Sequence, residues 1–251
     1  MNPSDIAFHA AALARFVPAL FKAGLLSSAG GPRALAATVP VLARYRFTTA
    51  REVEQAYLTC PERLALIDDD GALTYRHLRE QSQTFARWLL SLGLDDIRLG
   101  VMARNGRGII TPLAAKGYAG AHIFLLNIGS SPEQLAGCID ENHINVLVID
   151  DEFADRLAPA DGELPDNLTV VIGHDSGAER PAALATVPSL REIVADPGGV
   201  EKHRLPTWPD HGYIVLMSSG TTGIPKGIMR PEPTLPVVLA SIVDSIPWRA
   251  D

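Results

Sequence analysis

Between residues 64 and 217 short apolar runs alternate with longer amphipathic stretches, and this alternation constrains the fold more than any other feature of the chain. Strands that alternate with helices favour an α/β domain whose helices cover a sheet. Residues 64–67 and 73–75 read as strands joined by a turn at Asp68-Asp69-Asp70-Gly71. A helix is predicted over residues 76–92, with Leu78, Ser82, Phe85 and Leu89 on one face and Gly93 placed to end it. Residues 99–103, 121–126 and 146–149 read as further strands, and residues 108–117 as a helix that tolerates Pro112. Ser131-Pro132-Glu133-Gln134 opens another helix, with a hydroxyl cap, proline at the first position and glutamine completing a capping box. The same logic places a capping box at Thr49-Ala50-Arg51-Glu52, heading a helix that ends before Pro61. Residues 151–199 are more polar and turn-rich, with one expected strand at 169–172.

Residues 1–47 differ in composition. They are rich in alanine and leucine, with Ile6, Leu13, Phe16, Val17 and Leu20 at helical spacing and a break at residues 27–32, so they read as two helices forming an N-terminal extension. Packing of this extension on the body is expected, because its polar face carries few of the basic residues that a membrane-surface helix needs; membrane contact through these helices is the alternative. The remainder, 48–251, reads as one domain. With 251 residues and 47% hydrophobic composition the chain can bury a real core. A net charge of -7 argues against a nucleic-acid partner. Cys60 and Cys138 are the only cysteines, with no paired spacing, so neither a disulfide framework nor a zinc site is indicated. Cys138 falls on the apolar face of its helix and reads as a core residue. The first residues read poorly as a signal peptide and no run reaches the length needed to span a bilayer, so a cytoplasmic location is expected.

One segment carries chemistry. Tyr213-Ile214-Val215-Leu216-Met217 is an apolar strand running straight into Ser218-Ser219-Gly220-Thr221-Thr222-Gly223-Ile224-Pro225-Lys226-Gly227. Glycines let backbone N–H groups converge on a concavity, hydroxyls add donors, and a lysine adds mobile positive charge, so such a loop suits the polyphosphate of a nucleotide. It is neither a Walker A loop, since Pro225 and Gly227 flank the lysine, nor the Gly-x-Gly-x-x-Gly of a dinucleotide fold. A flexible linker is disfavoured by the four consecutive apolar residues, 214–217, that feed it. Gly173-His174-Asp175-Ser176-Gly177 lacks the spacing of a nucleophile elbow and reads as a surface turn.

The loop resembles the core motif of the adenylate-forming superfamily, which comprises acyl-CoA synthetases, luciferases and peptide-synthetase adenylation domains. Other segments resemble that family in its order: Arg63-Leu64-Ala65-Leu66-Ile67 with Gly71-Ala72-Leu73-Thr74-Tyr75, then Leu99 to Asn105, then Ala114 to Ala121, then Leu125-Leu126-Asn127 with Glu133-Gln134-Leu135. The likeness covers roughly residues 48–231 and is greatest to bacterial fatty acyl-CoA ligases. It implies the partial N-terminal domain of the adenylate-forming fold, an α/β domain of mixed sheets flanked by helices.

The resemblance also implies a reaction. A carboxylate attacks the α-phosphate of ATP to give an acyl-adenylate and pyrophosphate, and the thiol of CoA then displaces AMP. ATP, Mg²⁺ and CoA are the implied cofactors, and a fatty acid or another carboxylate the implied substrate. Ser218, Ser219, Gly220, Thr221, Thr222, Gly223 and Lys226 are implied to hold the β- and γ-phosphates, with no metal ligand among them. The family's aromatic-Gly-x-Thr-Glu segment, its ribose-binding aspartate and the lysine of its mobile C-terminal domain have no counterpart in residues 1–251, and no catalytic residue is assigned. The expectation is therefore the N-terminal portion of a fatty acyl-CoA ligase that does not complete the reaction alone. The alternatives are a nucleotide-binding remnant, one half of a split enzyme whose C-terminal half is separately encoded, or a ligase of aryl or amino acids.

Overall fold

The alternation expected from the sequence is realised in the computed structural model, which describes residues 30–157, 165, 167–177, 180–218 and 226–231. The elements run α1 (Gly31–Tyr45), α2 (Thr49–Thr59), β1 (Leu64–Asp68), β2 (Gly71–Thr74), α3 (Tyr75–Ser91), β3 (Arg98–Met102), α4 (Arg107–Ala119) and β4 (His122–Leu125). They continue as α5 (Pro132–Glu141), β5 (Val146–Ile149), β6 (Thr169–Ile172), α6 (Leu190–Ala195), β7 (Tyr213–Ser218) and β8 (Lys226–Pro231). A 3-10 turn spans Asp151–Arg156. Among the described residues the strands form two sheets: an antiparallel β1–β2 hairpin, and a sheet of order β6-β5-β3-β4-β7-β8 that is parallel except for β8.

A parallel sheet covered on both faces needs strands that are apolar throughout, and β5 meets that demand with all four residues buried. Its side chains alternate between two cores: Val146 and Val148 join Phe85, Leu89, Ala114 and Tyr118, while Leu147 and Ile149 join Leu135, Cys138, Phe153 and Leu184. The first core lies under α2, α3, α4 and α6, the second under α5 and the 3-10 turn. Cys138 is buried in the second, as its helical spacing predicts.

The α2–α4 crossing rests on Gly117. A Cβ there would lie 2.7 Å from Ala50 Cβ and 2.9 Å from Thr48 Oγ1, so only glycine allows this approach. The same contact corrects the expected helix start. The cap of α2 is Thr48, one residue before the predicted Thr49: it is extended, fully buried, accepts the Arg51 N–H at 3.4 Å and donates to the Tyr45 carbonyl at 2.8 Å. The predicted capping box of α5 is complete.

Of the expected N-terminal helices, α1 begins at Gly31, and the earlier one lies outside the described residues. Among the described residues no helix is long and apolar enough to cross a membrane.

Candidate functional site

The apolar run 214–217 forms β7 because it can pair on both sides, parallel to β4 and antiparallel to β8. The β7–β8 register runs from Tyr213↔Pro231 to Ser218↔Lys226, so Ser218 ends one strand and Lys226 begins the next. Directly paired antiparallel residues lie about 5 Å apart at Cα. The two ends of the glycine- and hydroxyl-rich stretch are therefore drawn together as the mouth of a hairpin. Ser219, Gly220, Thr221, Thr222 and Gly223 lie between them and fall outside the described residues. Lys226, read from sequence as a loop residue, is instead the exposed first residue of β8. The mouth opens where β7 leaves the carboxyl end of a largely parallel sheet, the edge at which open α/β sheets receive ligands.

The glycine after the lysine has a packing reason. A Cβ on Gly227 would lie 2.6 Å from Val215 Cγ1 and 3.3 Å from Met217 Sδ, so β8 lies against β7 only because residue 227 has no side chain. The opposite end of β7 is clamped. The buried Lys116 of α4 donates from Nζ to the His211 carbonyl at 2.8 Å, and Gly212 takes the left-handed φ of 49° that turns the chain into the strand. Tyr213 then stacks on His122 with ring centroids 3.9 Å apart, receives Arg98 Nη1 on its hydroxyl at 2.9 Å, and donates its N–H to His122 Nδ1 at 3.2 Å. Burial lowers the His122 pKa, which suits a neutral ring accepting at Nδ1.

Further along the carboxyl edge of the sheet, charged side chains from the end of β1 and from the segments that follow β3, β5 and β6 border a crevice of about 250 Å³. Asp68, at the end of β1, accepts the Arg107 N–H at 2.9 Å and pairs with the Arg107 guanidinium at 2.6 Å, capping α4 and tying the β1–β2 hairpin to it. Burial alone would raise the Asp68 pKa, but the Arg107 hydrogen bonds outweigh it and hold the carboxyl below its ordinary value. Asp150, after β5, is 2% exposed and takes the Arg104 N–H at 2.7 Å on Oδ2. Burial pushes its pKa up. Arg104 pairs with Glu152 through two nitrogens at 2.5 and 2.7 Å. His174 Nδ1 sits 3.1 Å from Asp70 Oδ2. Desolvation pulls its pKa down, yet Asp70 and the neighbouring Asp150 and Asp151 prevail and the net shift is upward.

These contacts explain residues that the sequence reading left without a role. Asp68 and Asp70 belong to the aspartate turn, and their work is to bond across the fold to Arg107 and His174. His174 lies in the irregular segment that follows β6 and adds a clasp to the β1–β2 hairpin. Among the described residues no group of three or more His, Cys, Asp or Glu side chains could hold a metal ion. Nothing in local spacing signals the Asp68–Arg107 pair, whose members are 39 positions apart. The Ser189-Leu190-Arg191-Glu192 capping box that starts α6 was legible as a Ser-x-x-Glu pattern.

The family described as AMP-binding enzyme matches residues 53–243. A medium/long-chain-fatty-acid-CoA/3-oxocholest-4-en-26-oate-CoA ligase of Mycolicibacterium smegmatis is 29% identical over 180 residues, covering 70% of this chain and 32% of that protein. A mitochondrial malonate-CoA ligase of Xenopus laevis is 22% identical over 228 residues, covering 88% of this chain and 35% of that protein. The chain thus spans about a third of the length of these curated relatives. Among solved structures, VinN in complex with 3-methylaspartate superposes with a TM-score of 0.61 at 22% identity, covering 83% of this chain and 54% of that one. At that identity the likeness is one of fold.

Proposed function

The chain belongs to the AMP-binding enzyme family, and on that premise we propose that residues 48–251 form the phosphate-holding part of an ATP-dependent fatty acyl-CoA ligase, with residues 1–47 as a helical extension packed on it. The observation that carries this reading is the β7–β8 hairpin, whose register brings Ser218 and Lys226 to the two ends of one glycine- and hydroxyl-rich connection. The fatty acid comes from the relative at 29% identity, and the α/β fold supports the family without selecting the acid.

In this reading Ser218, Ser219, Gly220, Thr221, Thr222, Gly223 and Lys226 hold the β- and γ-phosphates of ATP. A carboxylate and a polyphosphate repel each other, so the adenylation step needs donors and positive charge where the pyrophosphate leaves. Backbone N–H groups and hydroxyls of the loop supply the donors, and the Lys226 ammonium supplies mobile charge at the mouth. Mg²⁺, arriving on the phosphates, would neutralise further charge. The acyl-adenylate forms with release of pyrophosphate, and CoA displaces AMP to give the thioester. Residues 1–251 taken alone are proposed to hold nucleotide without completing the thioester, since they contain no aromatic-Gly-x-Thr-Glu segment.

Titrating the purified chain with a fluorescent ATP analogue tests the core of the reading. Saturable binding is expected, and Lys226→Ala should weaken it about tenfold or more, the worth of one charge-assisted contact. No binding, or equal binding by a variant that melts like the parent, would sink it. Incubation with ATP, Mg²⁺, CoA and a panel of acids tests the remainder. Thioester from this chain alone would refute the incomplete-reaction clause. Turnover of fatty acids only after adding a separately produced C-terminal segment would support a split enzyme. Activation of aryl or amino acids instead would overturn the fatty acyl assignment.

A further inference from the structure

On the helical side of the fold, α1, α2, α3 and residues 201–205 border a cavity of about 520 Å³ with no lining residue from β7 or β8. Four arginines and two glutamates line it, but one glutamate is already engaged. Glu54 Oε1 receives Arg79 Nε at 2.8 Å, Gln83 Nε2 at 2.9 Å and the Tyr118 hydroxyl at 3.0 Å. Among the described lining residues Arg44, Arg87 and Arg204 then face one remaining carboxylate, Glu201, an excess of positive charge.

The donors of these arginines are underused. Arg44 gives Nη2 to the Pro206 carbonyl at 2.7 Å and lies over the Tyr45 ring, while its Nε is buried without a hydrogen-bond partner among the described residues. Among the described residues the Arg87 and Arg204 side chains enter no ion pair or hydrogen bond. An unpaired buried donor on a cation is destabilising, and three like charges around one concavity repel one another. An anion in the cavity would relieve both. Val41 and Leu205 add apolar wall, and the volume falls in the range of small-molecule sites.

We propose that this cavity binds a small organic anion, its phosphate or carboxylate group held by Arg44, Arg87 and Arg204 and its apolar body lying against Val41 and Leu205. The site takes no residue from β7 or β8 and does not depend on how the connection between them functions. Arg44 also ties α1 to Pro206, so an occupied cavity links the N-terminal helix to the chain leading into β7.

Calorimetric titration of the full chain with phenyl phosphate and with octanoate tests this, with Arg87→Ala/Arg204→Ala and the rim variant Arg204→Glu as comparisons. Saturable binding of at least one probe is expected, weakened about tenfold or more in the double variant and clearly weakened by the charge reversal. Which probe binds identifies the head group. If the double variant fails to fold, Arg204→Glu decides, since Arg204 is exposed. Absence of saturable binding by both probes, or undiminished binding in variants that melt like the parent, would overturn the proposal. Inorganic phosphate binding as tightly as phenyl phosphate would overturn the role of the apolar wall.

Discussion

Substituting Gly227 by alanine tests whether β8 is held in place by the missing side chain. The new Cβ would stand 2.6 Å from Val215 Cγ1, whereas ordinary contact begins near 3.4 Å, so something must yield by about 0.8 Å. Val215 is 3% exposed and β-branched, with little freedom to rotate. The strand itself must lift. Overpacking of this kind costs about 1–3 kcal/mol. Replacing glycine at a φ that alanine can adopt returns about 0.4–1 kcal/mol through the unfolded chain. The net loss is about 0.5–2 kcal/mol, or roughly 2–8 °C in melting temperature for a chain of this size. Calorimetry would measure it. Val215→Ala removes the offending methyl, so the double variant should be more stable than the sum of the singles by about 1 kcal/mol. Because Lys226 precedes the glycine and pairs with Ser218, the ATP-analogue affinity should fall along with the melting temperature. A Gly227→Ala protein that melts at or above the parent, or a double variant with additive effects, would refute the packing argument.

Tyr118→Phe removes one of three donors from the buried Glu54 carboxylate and is expected to lower unfolding stability by about 1–2 kcal/mol in a urea titration. Ser189→Ala removes the hydroxyl that accepts the Glu192 N–H and donates to Glu192 Oε2, leaves the backbone half of the α6 capping box in place, and should cost about 1 kcal/mol in the same assay. His174→Asn should destabilise in a pH-dependent way. The folded-state pKa of His174 is raised, so its stabilisation is full below the unfolded value near 6.5 and disappears as pH rises through the folded value. The variant's deficit should thus be larger at about pH 5.5 than at about pH 8.5, and a deficit independent of pH would remove the Asp70 clasp as its cause.

Much of the architecture was legible because helices and strands announce themselves within a few residues. The four apolar residues of β5, the 3.6-residue spacing of Leu78, Phe85 and Leu89, and the Ser131 capping box all act locally, and each of these three elements is present. Where local signals compete, a neighbour decides. Thr48 rather than Thr49 caps α2 because the Tyr45 carbonyl and the close approach of α4 at Gly117 bury the first hydroxyl. The strand at Lys226–Pro231 escaped notice because its residues gain a partner only once β7 lies beside them.

By itself the amino-acid sequence determined the α/β class, the positions of β1 to β7 and of the helices between β2 and β5, and the loop that names the family, since each depends on periodicity or on a run of adjacent residues. Tertiary structure alone decided the strand order, the pairing of Ser218 with Lys226, the Asp68–Arg107 and His174–Asp70 clasps, and the arginine-lined cavity. Coulomb and hydrogen-bond energies depend on distance in space, and the partners in these contacts are separated by 8 positions at Ser218–Lys226 and by as many as 162 at Arg44–Pro206.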